Sequence, residues 1–172
     1  MLTAEKVIEL LDLKPLDMEG GYYRETYRSE EAVDAACLPE RYTAPKCFST
    51  CIYYLLTPDT VSGLHIVPSD EIFHFYLGDP VTMLRLYPDG RSETIAIGPD
   101  IEAGQSVQVI APRGVWQGSF LQEGGRFALM GCTVAPGFDF PDYVPGKRAE
   151  LTAQFPQHRE WIKRLTAEDA RP

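Results

Sequence analysis

The sequence predicts an all-β protein whose strands form a jelly-roll barrel. Nine short segments rich in aromatic and β-branched residues follow one another between positions 22 and 134. Turn-forming combinations of Pro, Gly and Asp separate most of them, as at 57–59, 88–90 and 98–100. No helical pattern lies between the last eight segments. Eight or more strands without intervening helices are typical of a jelly roll.

A short helix precedes the barrel in this interpretation. Residues 3–12 place their apolar side chains on one side, and Thr3 is a suitable N-cap. The helix ends before Pro15, because the residue before a proline avoids the helical conformation. Gly20-Gly21 then leads into the first strand. We expect the helix to cover one open end or face of the barrel.

The barrel is predicted to extend from about residue 20 to 140. Its predicted strands are 22–28, 48–56, 61–65, 71–77, 81–87, 93–97, 107–110, 115–121 and 127–134. In the first strand Arg24 and Glu25 lie on opposite faces, so one face carries charge inward or is solvated. Both are candidate substrate-binding residues, and the alternative is an exposed strand with paired charges. Residues 29–46 are predicted to form a loop whose role the sequence does not indicate.

Two helices are predicted after the barrel, at residues 147–155 and 157–168. The aromatic stretch that precedes them is interpreted as an ordered crossing segment that lines or closes the pocket, because linkers are polar. The sequence contains no repeat of the whole unit. We therefore predict one domain, 1–172, with a helical tail at about 147–168.

The charge and the apolar pattern exclude several classes of partner. The net charge of −9 argues against nucleic acid and anionic membranes, which need a basic face. No apolar run approaches the length of a membrane span, and the first residues lack the order of a signal peptide. The sequence therefore predicts a cytoplasmic protein.

The four cysteines are predicted to be reduced and packed as small hydrophobic side chains. Their spacing lacks the paired clusters of a zinc site. Cys47 and Cys51 lie on a predicted strand, where positions four apart are separated by about 13 Å. That distance is too long for a disulfide or a shared metal.

Candidate site residues come from two segments, 63–78 and 112–117. The first reads as two strands joined by Pro68-Ser69-Asp70, so His65 and Glu71 can point into one cavity. In the second, a Pro and Gly turn starts a strand that projects Gln117.

Strand alternation extends this set. With Glu71 inward, Phe73 and Leu77 also point inward and His74 points outward. With Gln117 inward, Ser119 is inward and Trp116 outward, unless a bulge reverses the order. The inferred pocket has a few polar groups on an apolar wall, as small-molecule sites do. It holds His65, Val67, Glu71, Phe73, Gln117 and Ser119.

These segments resemble the two motifs of the cupin superfamily. The first motif has two histidines, a glutamate and a glycine, which His65, Val67, Glu71 and Gly78 match except for the second histidine. The second motif is matched at Pro112 and Gly114, with Gln117 in place of its histidine. Further matches are GGYYRETYRS, IYYLL, SDEIFHFYLGDP, PRGVWQGS and GCTVAPGFDF. Together they resemble the small branch called domain of unknown function 985, over about residues 3 to 155.

The resemblance implies a double-stranded β-helix and a pocket, without implying one activity. One hypothesis is a weak metal-dependent enzyme with His65, Glu71 and Gln117 as ligands. Val67 cannot bind a metal and Gln117 offers a neutral amide, so a divalent metal is disfavoured and no cofactor is assigned.

The preferred enzymatic hypothesis is metal-free acid-base chemistry on a sugar-like or carbonyl compound. In it Glu71 orients His65 as a base, as in an isomerase or epimerase, and Tyr53, Tyr54 or Tyr23 supplies an acid. A non-catalytic small-ligand-binding protein is the alternative. The simplest interpretation is a self-satisfied buried polar pair.

The resemblance also implies a homodimer. The outward-facing Ile72, Tyr76 and Trp116 agree with an outer sheet face that is buried by a partner.

Overall fold

A computed structural model describes residues 2–167 as two antiparallel sheets that pack face to face. The helices are α1 (Ala4–Leu11), α2 (Arg148–Gln154) and α3 (Arg159–Arg164), and the strands are β1 (Lys14–Pro15), β2 (Tyr22–Arg28), β3 (Ala32–Val33), β4 (Lys46–Cys47), β5 (Thr50–Leu56), β6 (Val61–Ile66), β7 (Asp70–Gly78), β8 (Val81–Leu86), β9 (Ser92–Ile97), β10 (Gln108–Ala111), β11 (Trp116–Leu121), β12 (Ala128–Ala135) and β13 (Val144–Pro145). One sheet has the order β1-β2-β5-β12-β7-β10 and the other β13-β6-β11-β8-β9. The all-β jelly-roll prediction is confirmed.

The segment between β2 and β5 is more ordered than the predicted loop. It contains the hairpin of β3 and β4 and a 3-10 helix at Ala35–Cys37, which Asp34 caps by accepting a hydrogen bond from the Ala36 backbone N–H. Strands of two residues show no alternation, so sequence periodicity does not detect them. The second strand of the hairpin begins at Lys46, which reaches the site region described below.

The core between the sheets is formed by the inward side chains of both. Tyr54, Phe73, Met83 and Met130 are its largest buried members. Tyr54 donates a hydrogen bond from its hydroxyl to the Gly20 carbonyl at 2.9 Å, so this phenol has a partner inside the barrel.

Helix α1 covers part of the outer face of the six-stranded sheet. Thr3 caps it by accepting from the Lys6 backbone N–H at 3.3 Å, and Asp12 ends it in the left-handed conformation, with φ 48°. Val7 packs with Leu55 on the sheet. The N-terminal helix is thus a cover for one face, as the sequence predicts.

The C-terminal helices cover the outer face of the five-stranded sheet. Phe155, Ile162 and Leu165 pack there against Leu64 and other outward residues. The predicted second helix begins with a 3-10 turn at Pro156–His158, and its last residue, 168, lies outside the described residues. No helix within residues 2–167 is long and apolar enough to span a membrane.

Two predictions need correction: the inward orientation of Leu77, and the outer face that Trp116 was expected to share with Ile72 and Tyr76. The pairing of β7 with β12 shifts register next to Leu129, which turns Leu77 to the outer face instead of inward. Trp116 is outward as predicted, but this chain's own helical cluster covers it. Because Ile72 and Tyr76 lie on the other sheet, Trp116 cannot share an interface with them.

Candidate functional site

The link between β6 and β7 is fixed from three sides. Ser69 is buried, donates to the Pro136 carbonyl at 3.0 Å and lies 2.9 Å from the Tyr42 hydroxyl. Asp70 accepts a hydrogen bond from the Arg113 backbone N–H at 2.8 Å. These contacts hold the strand ends that carry His65 and Glu71, so a polar link of three residues sets the site geometry.

A bulge in β6 brings two of its polar residues to the same inner face. His65 pairs with Gln117 and Ser62 pairs with Ser119, so β6 has one more residue than β11 between these pairs. The extra residue leaves the Gly63 carbonyl free to accept from His65 Nδ1–H at 2.7 Å. This bond fixes the ring and assigns one imidazole proton to Nδ1.

Gln117 bridges His65 and Glu71. Its Nε2 lies 2.8 Å from Nε2 of His65 and 2.9 Å from Oε2 of Glu71, whereas the imidazole and carboxylate are 3.6 Å apart. All three side chains are buried. The amide uses both of its N–H groups as donors, so in this arrangement His65 is neutral and accepts at Nε2.

The charge state of His65 is coupled to the orientation of Gln117. Burial lowers the pKa of His65, but the nearby carboxylates of Glu19 and Glu71 and the Gly63 carbonyl outweigh it and raise this pKa to about 9. Protonation turns Nε2 from an acceptor into a donor. The amide must then rotate to present Oε1, an atom without a partner in the arrangement described here.

A cavity of about 300 Å³ opens from the site to the end of the barrel. Glu71, Glu19 and Cys132 lie at its inner end, where Cys132 Sγ is 3.9 Å from Oε1 of Glu71. His65 is not among its lining residues. The sequence hypothesis had the carboxylate orient a histidine base; in the structure the carboxylate faces the cavity and His65 lies behind it.

Glu19 and Tyr143 complete the site, and sequence reasoning missed both. Glu19 accepts from the Ser62 hydroxyl at 2.6 Å, and burial, together with the charge of Glu71, raises its pKa. Tyr143 lies against His65, with ring centroids 4.7 Å apart. Burial raises the pKa of Tyr143. The sequence contains one signal for each of these residues: Glu19 directly precedes Gly20-Gly21, and Tyr143 lies in the aromatic crossing segment.

Tyr53 and Arg24 do not reach the site. Tyr54 points into the barrel, so alternation turns its neighbour Tyr53 to the outer face, where it contacts Tyr76. The Arg24 guanidinium lies over the Tyr53 ring at 5.4 Å. The predicted roles of Tyr53 as catalytic acid and of Arg24 as substrate-binding residue are therefore corrected.

The other candidates lie inside the barrel or at its mouth. Glu25 lines the mouth, where it binds Arg28 at 2.9 Å, and Arg28 also binds Asp139. Phe73 is in the core beside the cavity, and Ser119 is fully buried without a hydrogen-bond partner.

Ser62 and Ser119 form a matched pair for a stability test, because they face each other on adjacent strands and are both fully buried. We expect Ser62→Ala to lower the free energy of unfolding by about 1–3 kcal/mol, since it removes a donor from Glu19. Ser119→Ala removes an unpartnered hydroxyl and should change it by less than about 0.5 kcal/mol or raise it. Urea unfolding of both variants measures this; equal losses would contradict it.

The donor set does not fit a metal. Val67 cannot bind one, and the Gln117 amide directs N–H groups at the ligand atoms of both His65 and Glu71. Within residues 2–167, no group of three His, Cys, Asp or Glu side chains is placed to hold an ion.

Known proteins resemble this chain over most of its length. An uncharacterized protein of Saccharomyces cerevisiae is 36% identical over 136 residues. The match covers 73% of this chain and 67% of that protein. A Shewanella oneidensis protein of known structure is 34% identical, with a TM-score of 0.86 over 98% of this chain and all of that one. A hypothetical protein from Leishmania major gives 34%, a TM-score of 0.85, and coverage of 97% and 100%.

A more distant likeness shows the fold alone. Oxalate decarboxylase from Bacillus subtilis is 18% identical, with a TM-score of 0.52 over 88% of this chain and 37% of that one.

The family model described as Cupin superfamily (DUF985) matches residues 5–144. The bulged strand, the barrel pocket and these matches agree, and the chain belongs to the DUF985 family of the cupin superfamily.

Proposed function

We propose that this protein is a metal-independent isomerase or epimerase that acts on a small, neutral carbonyl compound inside the barrel. One observation carries the proposal: two carboxyl groups, Glu71 and Glu19, line one cavity, and burial raises the pKa of Glu19, whereas Oε2 of Glu71 accepts an N–H of Gln117. A pair of this kind can supply a base and an acid at the same pH.

Glu71 is the proposed base and Glu19 the proposed acid. Glu71 takes a proton from the carbon next to the carbonyl, the electron pair of that C–H bond forms a C=C bond, and the carbonyl oxygen receives the proton of Glu19. For isomerisation, Glu71 returns the proton to the former carbonyl carbon while Glu19 takes the hydroxyl proton of the neighbouring carbon, which becomes the new carbonyl. For epimerisation, Glu19 takes back its proton while solvent water protonates the opposite face of the carbon, and Glu71 gives its proton to the hydroxide that remains. Gln117 is a positioning residue, because its amide lies between His65 and Glu71 and contacts both side chains.

His65 would balance charge in this scheme. Its raised pKa keeps a positive charge next to Glu71, which lowers the free-energy cost of the buried negative charge on that carboxylate. Tyr143 covers the ring and limits its contact with water.

The cavity favours a small neutral substrate. Its volume of about 300 Å³ is at the lower end of the range for ligand pockets. The cation at its mouth, Arg28, is already paired with Glu25 and Asp139, so no uncompensated positive charge faces the interior. An anionic substrate would meet the negative charge of Glu71, because the counter-ion His65 lies behind that carboxylate and does not line the cavity.

A non-catalytic ligand-binding protein is the second candidate. The apolar walls, which include Ile52 and Val134, would enclose a ligand whether or not a proton is transferred. Homodimer formation also remains a proposal; exposed apolar residues on the outer face of the six-stranded sheet, such as Tyr76 and Ile110, are consistent with it.

Solvent exchange distinguishes the two candidates. We expect the wild-type protein in D₂O to catalyse deuterium incorporation next to the carbonyl of at least one member of a panel of aldoses and ketoses, followed by NMR. Glu71→Gln should slow this at least about 100-fold, since it removes the base. Glu123→Gln, in an exposed turn, is the matched control. Ligand-induced NMR shifts without exchange would favour the binding protein, and exchange unaffected by Glu71→Gln would refute the assigned base.

A further inference from the structure

A second concave surface lies outside the barrel and has the opposite charge character. This outer cleft has a volume of about 830 Å³ and lies between the segment that ends in β4, the β6–β7 link, the turn before β11 and the crossing segment. Its charged lining residues are Arg41, Lys46, Arg113, Asp139 and Asp142.

Two arginines of the outer cleft are anchored to the same short link. Arg41 donates from Nε to the Pro68 carbonyl at 2.9 Å, and its guanidinium lies 4.7 Å from the centre of the Tyr42 ring. Arg113 is held through its backbone, which donates to Asp70, and its neighbour Gly114 donates to the Val67 carbonyl at 3.2 Å. Both arginines are therefore held by hydrogen bonds to the link between β6 and β7 or to the residue before it.

The remaining charged residues of the outer cleft are paired with one another. Lys46 Nζ binds Asp142 at 2.6 Å and Asp139 at 3.0 Å. Within residues 2–167, neither Arg41 nor Arg113 forms an ion pair with a carboxylate. The three cations and two carboxylates that line the cleft leave a net charge of +1, and Arg41 and Arg113 are its two cations without a carboxylate partner.

This excess is local and runs against the charge of the whole chain, which is −9. Asp70 accepts a hydrogen bond from the backbone of Arg113, and it is not among the cleft-lining residues. Guanidinium groups bind phosphate oxygens through paired N–H donors. A dianion can bind two such groups at once, whereas a single carboxylate is satisfied by one.

We propose that the outer cleft binds the phosphate group of a small molecule, with Arg41 and Arg113 as its ligands. The site is separate from the barrel cavity, and its occupancy does not depend on Glu71. The terminal N–H groups of Arg41 are directed by the Pro68 and Tyr42 contacts, so little side-chain entropy is lost when phosphate binds.

Isothermal titration with inorganic pyrophosphate tests the proposal. We expect saturable binding to the full chain at about 20 mM salt and weaker binding at about 200 mM, because salt screens exposed charges. The double variant Arg41→Gln/Arg113→Gln should lose at least about tenfold in affinity. Arg113→Gln alone leaves the Arg41 contact to Pro68 intact, so this variant should lose less affinity for pyrophosphate than the double variant does.

Two controls identify the site. Arg126→Gln changes the net charge by the same amount as Arg113→Gln, but lies in the turn at the opposite end of β11, and it should bind pyrophosphate within about twofold of wild type. Glu71→Gln should also bind normally, so failure here is distinguishable from failure of the barrel proposal. Absence of binding to wild type, or equal binding by the double variant, would overturn the proposal.

Discussion

Raising the pH from about 6.5 to 9 should lower the free energy of unfolding of the wild-type protein by about 3 kcal/mol more than that of His65→Asn. The reason is that folding raises the pKa of His65 from 6.5 to about 9. A group whose folded pKa is raised stabilises the fold fully below its unfolded pKa. That contribution is lost as the pH rises through the folded value.

Two other groups also lower the free energy of unfolding as the pH rises. For this reason the wild-type protein is compared with the His65→Asn variant. Glu19 and Cys132 also have raised pKa values, mainly because of burial, so the folded state releases their protons at higher pH than the unfolded state does. The contribution of Cys132 is present in both proteins and cancels to first order. Loss of the His65 charge raises the pKa of Glu19 further in the variant, which makes the measured difference smaller than the contribution of His65 alone. Urea unfolding at half-unit pH steps measures the slopes.

His74→Asn is the matched control for this experiment. His74 lies on the outer face of the six-stranded sheet, where it contacts Thr133 at 3.2 Å and Gln108 at 3.2 Å. We expect this variant to keep the wild-type pH dependence. Parallel pH profiles for wild type and His65→Asn would show that His65 is neutral in the folded protein and that the Gln117 amide keeps the orientation seen here.

Strand periodicity predicted the parts of the site that lie within regular strands. Glu71 and Phe73 point inward and Gln117 lies beside His65 because two-residue alternation decides both. Alternation failed where an extra residue interrupts pairing. The bulge in β7 turned Leu77 outward, and sequence patterns contain no direct signal for such an insertion.

Site residues that lie outside the strands were harder to predict from the sequence. Glu19 lies in the turn before β2, and it reaches the cavity because Gly20 and Gly21 approach other strands closely; a Cβ at Gly20 would clash with the Val61 carbonyl oxygen. Tyr53 and Tyr54 are adjacent and chemically identical, so the strand register alone decides which one enters the barrel. Both outcomes depend on long-range packing that a single sequence does not display.

Lys46→Met should lower the free energy of unfolding by about 3–5 kcal/mol. Lys46 is buried, and its Nζ binds Asp142 and Asp139, which joins the hairpin of β3 and β4 to the crossing segment. Removing the cation leaves the largely buried Asp142 without its partner, and desolvation of an unpaired charge is expensive.

Two further variants separate this network from ordinary surface charge. Lys14→Met removes an exposed lysine that pairs with Asp12 at 3.2 Å, so the free energy of unfolding should fall by less than about 1 kcal/mol. Adding Asp142→Asn to Lys46→Met should recover more than about 1 kcal/mol, because the second change removes the unpaired carboxylate. Urea unfolding of the four proteins gives the comparison. If Lys46→Met loses no more than Lys14→Met, the buried network makes no net contribution, and the crossing segment is held at the barrel mouth by packing of its aromatic side chains.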